Sequence, residues 1–323
     1  MTTLVIRGPE DAIAAVPYML GFHPSRSLVV IAFGGPESVC AVRVDLAVPN
    51  AERAAVVLGR NRFTEAVLLG YGTAPEVEPV AAATRTALAA GGVRTVEAIR
   101  VADGRWWSLT CRDPCCPPEG RPYDSTVTEV AAQATYAGHV VLRDRAELAA
   151  SVQPLTGPAR LAMRRATLRA ERRHARLPAA QAVREGVALI PPLLAGPDRP
   201  TDDEVAWLGC LLTDLRVRDE AWTHMGPDAP DTVIAFWRDV LRRVEDRYAP
   251  APASLLAMAA YTAGDGGLAN VALERALAAD PRYSMAILLR RVIDAGIPPS
   301  QVRVSMTSAE LSAAYEREDR RAG

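Results

Sequence analysis

The chain of 323 residues exceeds the usual span of one compact domain, so two units are expected, each able to bury its own core. Its formal charge of −1, from 37 basic and 38 acidic residues, gives no overall pull toward nucleic acid or an anionic membrane. All 37 basic residues are arginine, which excludes the Walker-type phosphate loop and the lysine Schiff base, because both need an amine.

Leu4 to Ile6 reads as a short strand, and Glu10 to Leu20 as a helix entered through Gly8-Pro9 with acidic residues in its first turn. Ser27 to Phe33 is a nearly continuous apolar strand, Gly34 to Glu37 a turn, and Ser38 to Val48 a second strand, together a hairpin. A short helix at Ala51 to Arg60, a strand at Glu65 to Gly70 and a helix at Val77 to Ala90 follow. Gly91-Gly92 stops that helix, a strand runs from Val93 to Val101, and a last strand, Arg105 to Cys111, pairs with it through Ala102-Asp103-Gly104. Hairpins and crossover helices in one region predict a mixed β-sheet.

Beyond Tyr123 the strand signal is lost, and proline- and glycine-rich breaks cut the remainder into helices of ordinary length. In Ala253 to Pro281, the residues Leu256, Ala257, Gly264, Ala269, Leu273, Ala276 and Pro281 fall at tetratricopeptide offsets, and Trp207-Leu208-Gly209 begins a poorer copy. The expected architecture is an α/β or α+β head with a mixed sheet, followed by an all-α tail of helical hairpins, tetratricopeptide-like near the C-terminus. The expected division is 1–124 for the head, 125–310 for the helical domain and 311–323 for a polar tail. The amino terminus shows no basic leader ahead of an apolar run, and no stretch approaches the roughly 20 apolar residues of a membrane span. Five cysteines, an odd number over a large chain, point to reduced thiols and a cytoplasmic protein.

Three motifs stand out. They are Val16-Pro17-Tyr18-Met19-Leu20-Gly21-Phe22-His23-Pro24-Ser25-Arg26-Ser27-Leu28-Val29-Val30, the strand Arg43-Val44-Asp45-Leu46, and Trp106-Trp107 followed by Cys111 and by Cys115-Cys116-Pro117-Pro118-Glu119-Gly120. Together they resemble the actinobacterial domain-of-unknown-function family 4192, and Ala253 to Pro299 is similar to that family's usual ending. The resemblance covers most of the chain and implies a cytoplasmic, actinobacterial setting. It supplies no reaction and no catalytic residue.

The segment Arg105 to Gly120, which contains the third motif, packs three of the five cysteines and two of the five tryptophans into sixteen residues, which core packing does not require. Cys111 and Cys115 have the spacing of a zinc pair, whereas adjacent Cys116 is expected to diverge from them, and a fourth ligand has to come from a distance, with His23 the only histidine of the head. The favoured reading of the thiols is small polarizable side chains packing a proline-stiffened connector. Zinc, and a thiolate activated by Arg105, Arg112 or Arg121, are the alternatives. His23, Ser25 and Arg26 on the connector before the second strand, with Arg43, Asp45, Trp106, Trp107 and Glu119, are the candidate ligand-binding residues, set against solvated turn and strand positions. The two tryptophans are expected on opposite faces of one strand.

Arg160 to Arg176 carries seven arginines, of which Arg165, Arg169, Arg172 and Arg176 align on one helical face, a stripe able to contact phosphates or simply solvated. Asp202-Asp203 reads as a helix start. No nucleophile elbow, His-Glu-x-x-His helix or dinucleotide fingerprint occurs. The leading expectation is a binding or interaction protein with a ligand cleft in the head and a partner-binding helical tail. The alternatives are a zinc- or thiol-dependent enzyme working through His23, Cys111, Cys115 and Cys116, and a nucleic-acid accessory factor using the arginine stripe.

Overall fold

The computed structural model describes residues 6–36, 39–111, 113, 115–136, 140–196, 198–225, 231–302 and 306–322. The opening strand expected at Leu4 to Ile6 falls mainly outside them, and Ile6 itself lies in no strand. The elements are α1 (Pro9–Leu20), β1 (Ser27–Phe33), β2 (Val39–Asp45), α2 (Ala51–Arg60), β3 (Glu65–Tyr71), α3 (Ala74–Ala90), β4 (Arg94–Ala102), β5 (Arg105–Ser108), β6 (Arg121–Pro122) and α4 (Glu129–Tyr136). Then come α5 (Arg145–Ala150), α6 (Gly157–His174), α7 (Ala179–Ala195), α8 (Asp202–Leu211), α9 (Leu215–Thr223), α10 (Asp231–Arg243), α11 (Pro250–Thr262), α12 (Gly266–Ala279), α13 (Ser284–Asp294) and α14 (Ser308–Ala322).

The chain forms two compact units, one of Met1–Glu147 with Asp294–Ile297 and one of Leu148–Ile293 with Pro298–Gly323. The first holds a six-stranded sheet in the order β2-β1-β3-β4-β5-β6. β1 pairs antiparallel with both β2 and β3, β3 runs parallel to β4 through the α3 crossover, and β5 and β6 add antiparallel strands at the edge. This is the mixed sheet that the alternation of hairpins and helices predicts. β1 is apolar from Leu28 to Phe33 because both of its faces are buried. One face carries Leu28, Val30, Ala32, Ala66, Leu68 and Ala98 against Ala54 and Leu58 of α2 and Val77, Val80, Ala81 and Leu88 of α3. α3 starts at a capping box in which Thr73 and Glu76 satisfy each other's end of the first turn.

The head extends past residue 124, the boundary expected where the strand signal stops, because α4 packs on α1 with Val130 buried against Ala14 and Ala15. Phe22 also bridges to Leu142 in parallel.

The second unit is helical. Every residue from Pro250 to Tyr261 of α11 is buried, and alanines at 257, 260, 269, 272 and 276 let α11 and α12 close into a hairpin. Asp265 caps α12 by accepting from Leu268 N–H at 2.8 Å. Gly186 of α7 admits Val217 of α9, since a Cβ there would stand 2.6 Å from the valine. Thr201 and Glu204 form the capping box of α8, so Asp202-Asp203 is a helix start, with Asp202 further paired to Arg243 and Asp203 to Arg169. The last residues, expected as a polar tail, fold as α14, whose Tyr315 donates to Asp219 and Ser308 to Glu220. No helix among the described residues is long and apolar enough to cross a membrane.

Candidate functional site

The site grows from the edge of the sheet. Asp103 and Gly104, with φ of 49° and 70°, make the two-residue turn that folds β5 back on β4, the left-handed pair favoured in tight hairpins. Trp106 is buried and Trp107 half-buried on opposite faces of β5, as strand alternation requires. Arg100, directly across from Trp107 on β4, lays its guanidinium 3.5 Å from the centre of that indole.

β5 and β6 are joined by the loop 109–120, and the strand ends hold that loop down. Trp107 Nε1 donates to Pro118 O at 2.9 Å, and Arg105 donates to Gly120 O at 2.8 Å. Gly120 has φ of 76° and lies against the Trp107 ring, so a Cβ there would overlap the indole. At the other end Ser108 Oγ accepts from Cys111 N–H at 3.0 Å and from Thr110 N–H at 3.3 Å while donating to Glu97 Oε1 at 3.1 Å. Cys116 N–H closes a turn onto Asp113 O at 2.8 Å. Arg112 lies outside the described residues.

Within this frame the sulfurs of Cys111 and Cys115 are 3.6 Å apart and those of Cys115 and Cys116 are 3.8 Å apart. All three lie within 4.8 Å of one another, and none is in a disulfide. The expected divergence of Cys116 is therefore corrected: consecutive side chains diverge in an extended strand, but Cys115 and Cys116 occupy a turn and a bend, which swing both to one side. The favoured picture of thiols as packing material does not fit either, since Cys115 is exposed and the other two are only partly covered. Cys111 Sγ donates to Asp113 Oδ2 at 3.7 Å. The Cys116 thiol is pushed up to about 12, chiefly by its hydrogen bond to Cys111, with burial and Cys115 adding to the effect. The remaining cysteines are apart from this cluster, Cys40 on β2 with its thiol pushed up to about 11 by burial, and Cys210 buried in α8.

Cys111 and Cys116 line a cavity of about 280 Å³ together with Trp106, Trp107, Ser108, Pro117, Pro118 and Arg121. Trp106 Nε1 is buried without a hydrogen-bond partner among the described residues, and the Arg121 guanidinium stands 5.8 Å from the Trp106 ring. Glu119 is exposed in the turn beside this cavity and contributes its carbonyl, not its carboxylate, to the Arg105 contact.

The other candidates are not brought here. His23 and Ser25 are exposed on the connector into β1, where His23 N–H donates to Leu142 O at 3.1 Å. Arg26, at a left-handed φ of 43°, pairs with Glu76 at 3.0 Å. Arg43 and Asp45 pair with each other at 2.9 Å on β2. Arg43 shares a row with Val29, Leu69, Ile99 and Ser108, so four strand spacings, roughly 19 Å, separate it from the β5 edge. His23 does not line the cavity, because the connector enters β1 and both β3 and β4 stand between that strand and β5.

On α6, Met163, Ala166, Thr167 and Ala170 are buried and Arg165, Arg169 and Arg172 are exposed; Arg176 is exposed just past the helix end. Arg169 is paired with Asp203 at 2.5 Å. His174 meets the Trp207 ring edge-on, with centroids 6.0 Å apart.

Sequence reasoning missed Ser108, Glu97, Asp113 and Arg100. Asp113 had a legible signal, an acid inside the cysteine spacing; the others emerge only from the β4–β5 register.

A mixed-sheet head followed by helical hairpins, with a sulfur-bearing loop on the sheet edge, defines a class of two-unit α/β and all-α proteins. Residues 9–300 match the family described as a domain of unknown function (DUF4192), and the chain belongs to that family. No curated protein and no solved structure matches it.

Proposed function

We propose that the head is a small-molecule binding module, and that its ligand occupies the cavity between the tryptophan pair and the sulfur-bearing loop. The observation that carries this reading is the buried Trp106 indole N–H, which has no acceptor among the described residues and belongs to a residue lining the cavity. A buried donor left unmade costs roughly 1–3 kcal/mol, so a bound acceptor that satisfies it is favoured by a comparable amount. The indole faces and Pro117-Pro118 offer flat apolar surface, and Arg121 offers a cation, so the complementary ligand has a flat apolar body and an anionic oxygen.

Benzoate is the simplest probe of that chemistry. Titrated into the intact chain, it is expected to shift the Trp106 indole N–H resonance, with binding weakened about tenfold in Trp106→Phe, the loss of one hydrogen bond to a charged acceptor. Arg121→Ala is expected to weaken binding in the same direction. An indole resonance that does not move at millimolar benzoate, acetate or phosphate would overturn the reading.

A further inference from the structure

We propose that Cys111, Cys115 and Cys116 are three ligands of one zinc ion, whose fourth coordination position opens on the Trp106/Trp107 cavity.

Zinc–thiolate bonds are about 2.3 Å, so two sulfurs on a tetrahedral zinc stand about 3.8 Å apart. Two of the three pairs here are 3.6 and 3.8 Å apart, and the third lies inside the same 4.8 Å group. A disulfide needs about 2.05 Å between sulfurs, and all three cysteines are free. The spacing fits a shared ion better than a covalent bond.

Hydrogen bonds of the hairpin itself fix the sulfur positions. Ser108 holds the Cys111 amide, the Asp113 carbonyl holds the Cys116 amide, and the Trp107 indole and Gly120 clamp the far end of the loop. A site prepared in this way requires little reordering when the ion arrives.

Cys111 and Cys116 both line the cavity whereas Cys115 does not, so an ion among the sulfurs has its open side toward the indoles. Asp113 lies 3.7 Å from Cys111 Sγ but outside the group the three sulfurs form, which leaves the fourth position to water or a cavity ligand. Binding forms three Zn–S bonds and releases three thiol protons to solvent, with no change of oxidation state. The resulting centre carries a charge of −1 (one Zn²⁺ and three thiolates), which Arg121 on the same cavity wall offsets. Soft thiolates select zinc over magnesium, calcium or manganese.

The test uses the intact chain, stripped of metal, reduced and titrated with zinc alone under anaerobic conditions. One zinc per chain and release of close to three protons are expected. Replacement of zinc by cobalt is expected to give a sulfur-to-cobalt charge-transfer band. Cys111→Ser with Cys115→Ser is expected to drop zinc below about a tenth of an equivalent while circular dichroism is retained, and Cys40→Ser with Cys210→Ser to keep one. Stoichiometric zinc that survives the first double substitution, failure to take up zinc in the reduced chain, or stoichiometric copper taken in preference to zinc would overturn the proposal. The zinc site shares its cavity with the benzoate reading but is tested separately: Trp106→Phe is expected to weaken benzoate about tenfold and to keep one zinc, so each fails on its own.

Discussion

Around the connector that leads into β1, polar groups meet complementary ones: the His23 amide a carbonyl, Arg26 the Glu76 carboxylate, and, on the neighbouring strand, Arg43 the Asp45 carboxylate. In the loop between β5 and β6 the strongest soft bases of the chain meet chiefly one another, three sulfurs with a single carboxylate beside Cys111. Both segments contain residues of the kinds that build sites, and the fold uses them differently. A group answered by its opposite serves the structure, while like donors gathered on a rigid frame are complementary to something the chain itself does not supply.

The largest effect that sharpens this contrast is metal-linked stability. If the loop is completed by zinc, the ion at about a thousand times its dissociation constant stabilises the folded head by about 4 kcal/mol. Thermal unfolding with and without zinc measures this, and equal melting temperatures would place the loop in the same class as the connector. Next is Gly120→Ala, which forces a side chain into the Trp107 ring at a left-handed backbone position. We expect a loss of about 2 kcal/mol in denaturant unfolding together with weaker zinc uptake. A loss below about 0.5 kcal/mol would mean that the clamp does not hold the loop.

In the helical unit, too, charges are answered by their opposites. Burial alone would raise the Asp239 carboxyl, but hydrogen bonds and charge from Arg199 and Arg243 outweigh it and hold the group below its ordinary range. A pKa depressed in the folded state contributes stability that is full above the unfolded value of about 3.9 and is lost as pH falls through the folded one. Denaturation midpoints between pH 6 and pH 3 are expected to fall less in Asp239→Asn than in the unaltered chain, and an unchanged slope would remove this contribution. The smallest expected effect is His23→Ala, a shift below about 0.5 kcal/mol with zinc and benzoate binding intact, because its side chain is exposed. Loss of either ligand in that variant would break the contrast between the two segments.

Much of the head is legible in the sequence because its signals are local. The apolar run of β1 reflects two buried faces and Asp103-Gly104 marks the turn between β4 and β5, whereas the start expected for α3 at Val77 is one turn late because the Thr73–Glu76 capping box begins the helix at Ala74. β6 is not legible: Arg121-Pro122 becomes a strand only because β5 offers it an edge. The α4–α1 contact that carries the head beyond 124 is likewise tertiary. Of the site, the spacing of Cys111 and Cys115 and the opposite faces of Trp106 and Trp107 follow from sequence. The inclusion of Cys116 does not, because it depends on turns set by Ser108 and Asp113. Nor does the separation of His23 from the sulfurs, which the strand order decides.

The most direct measurement of the central claim is zinc-edge X-ray absorption on the intact, reduced, zinc-loaded chain. The account predicts a first shell of three sulfurs at about 2.3 Å and one oxygen or nitrogen. A shell of oxygen and nitrogen alone would contradict it.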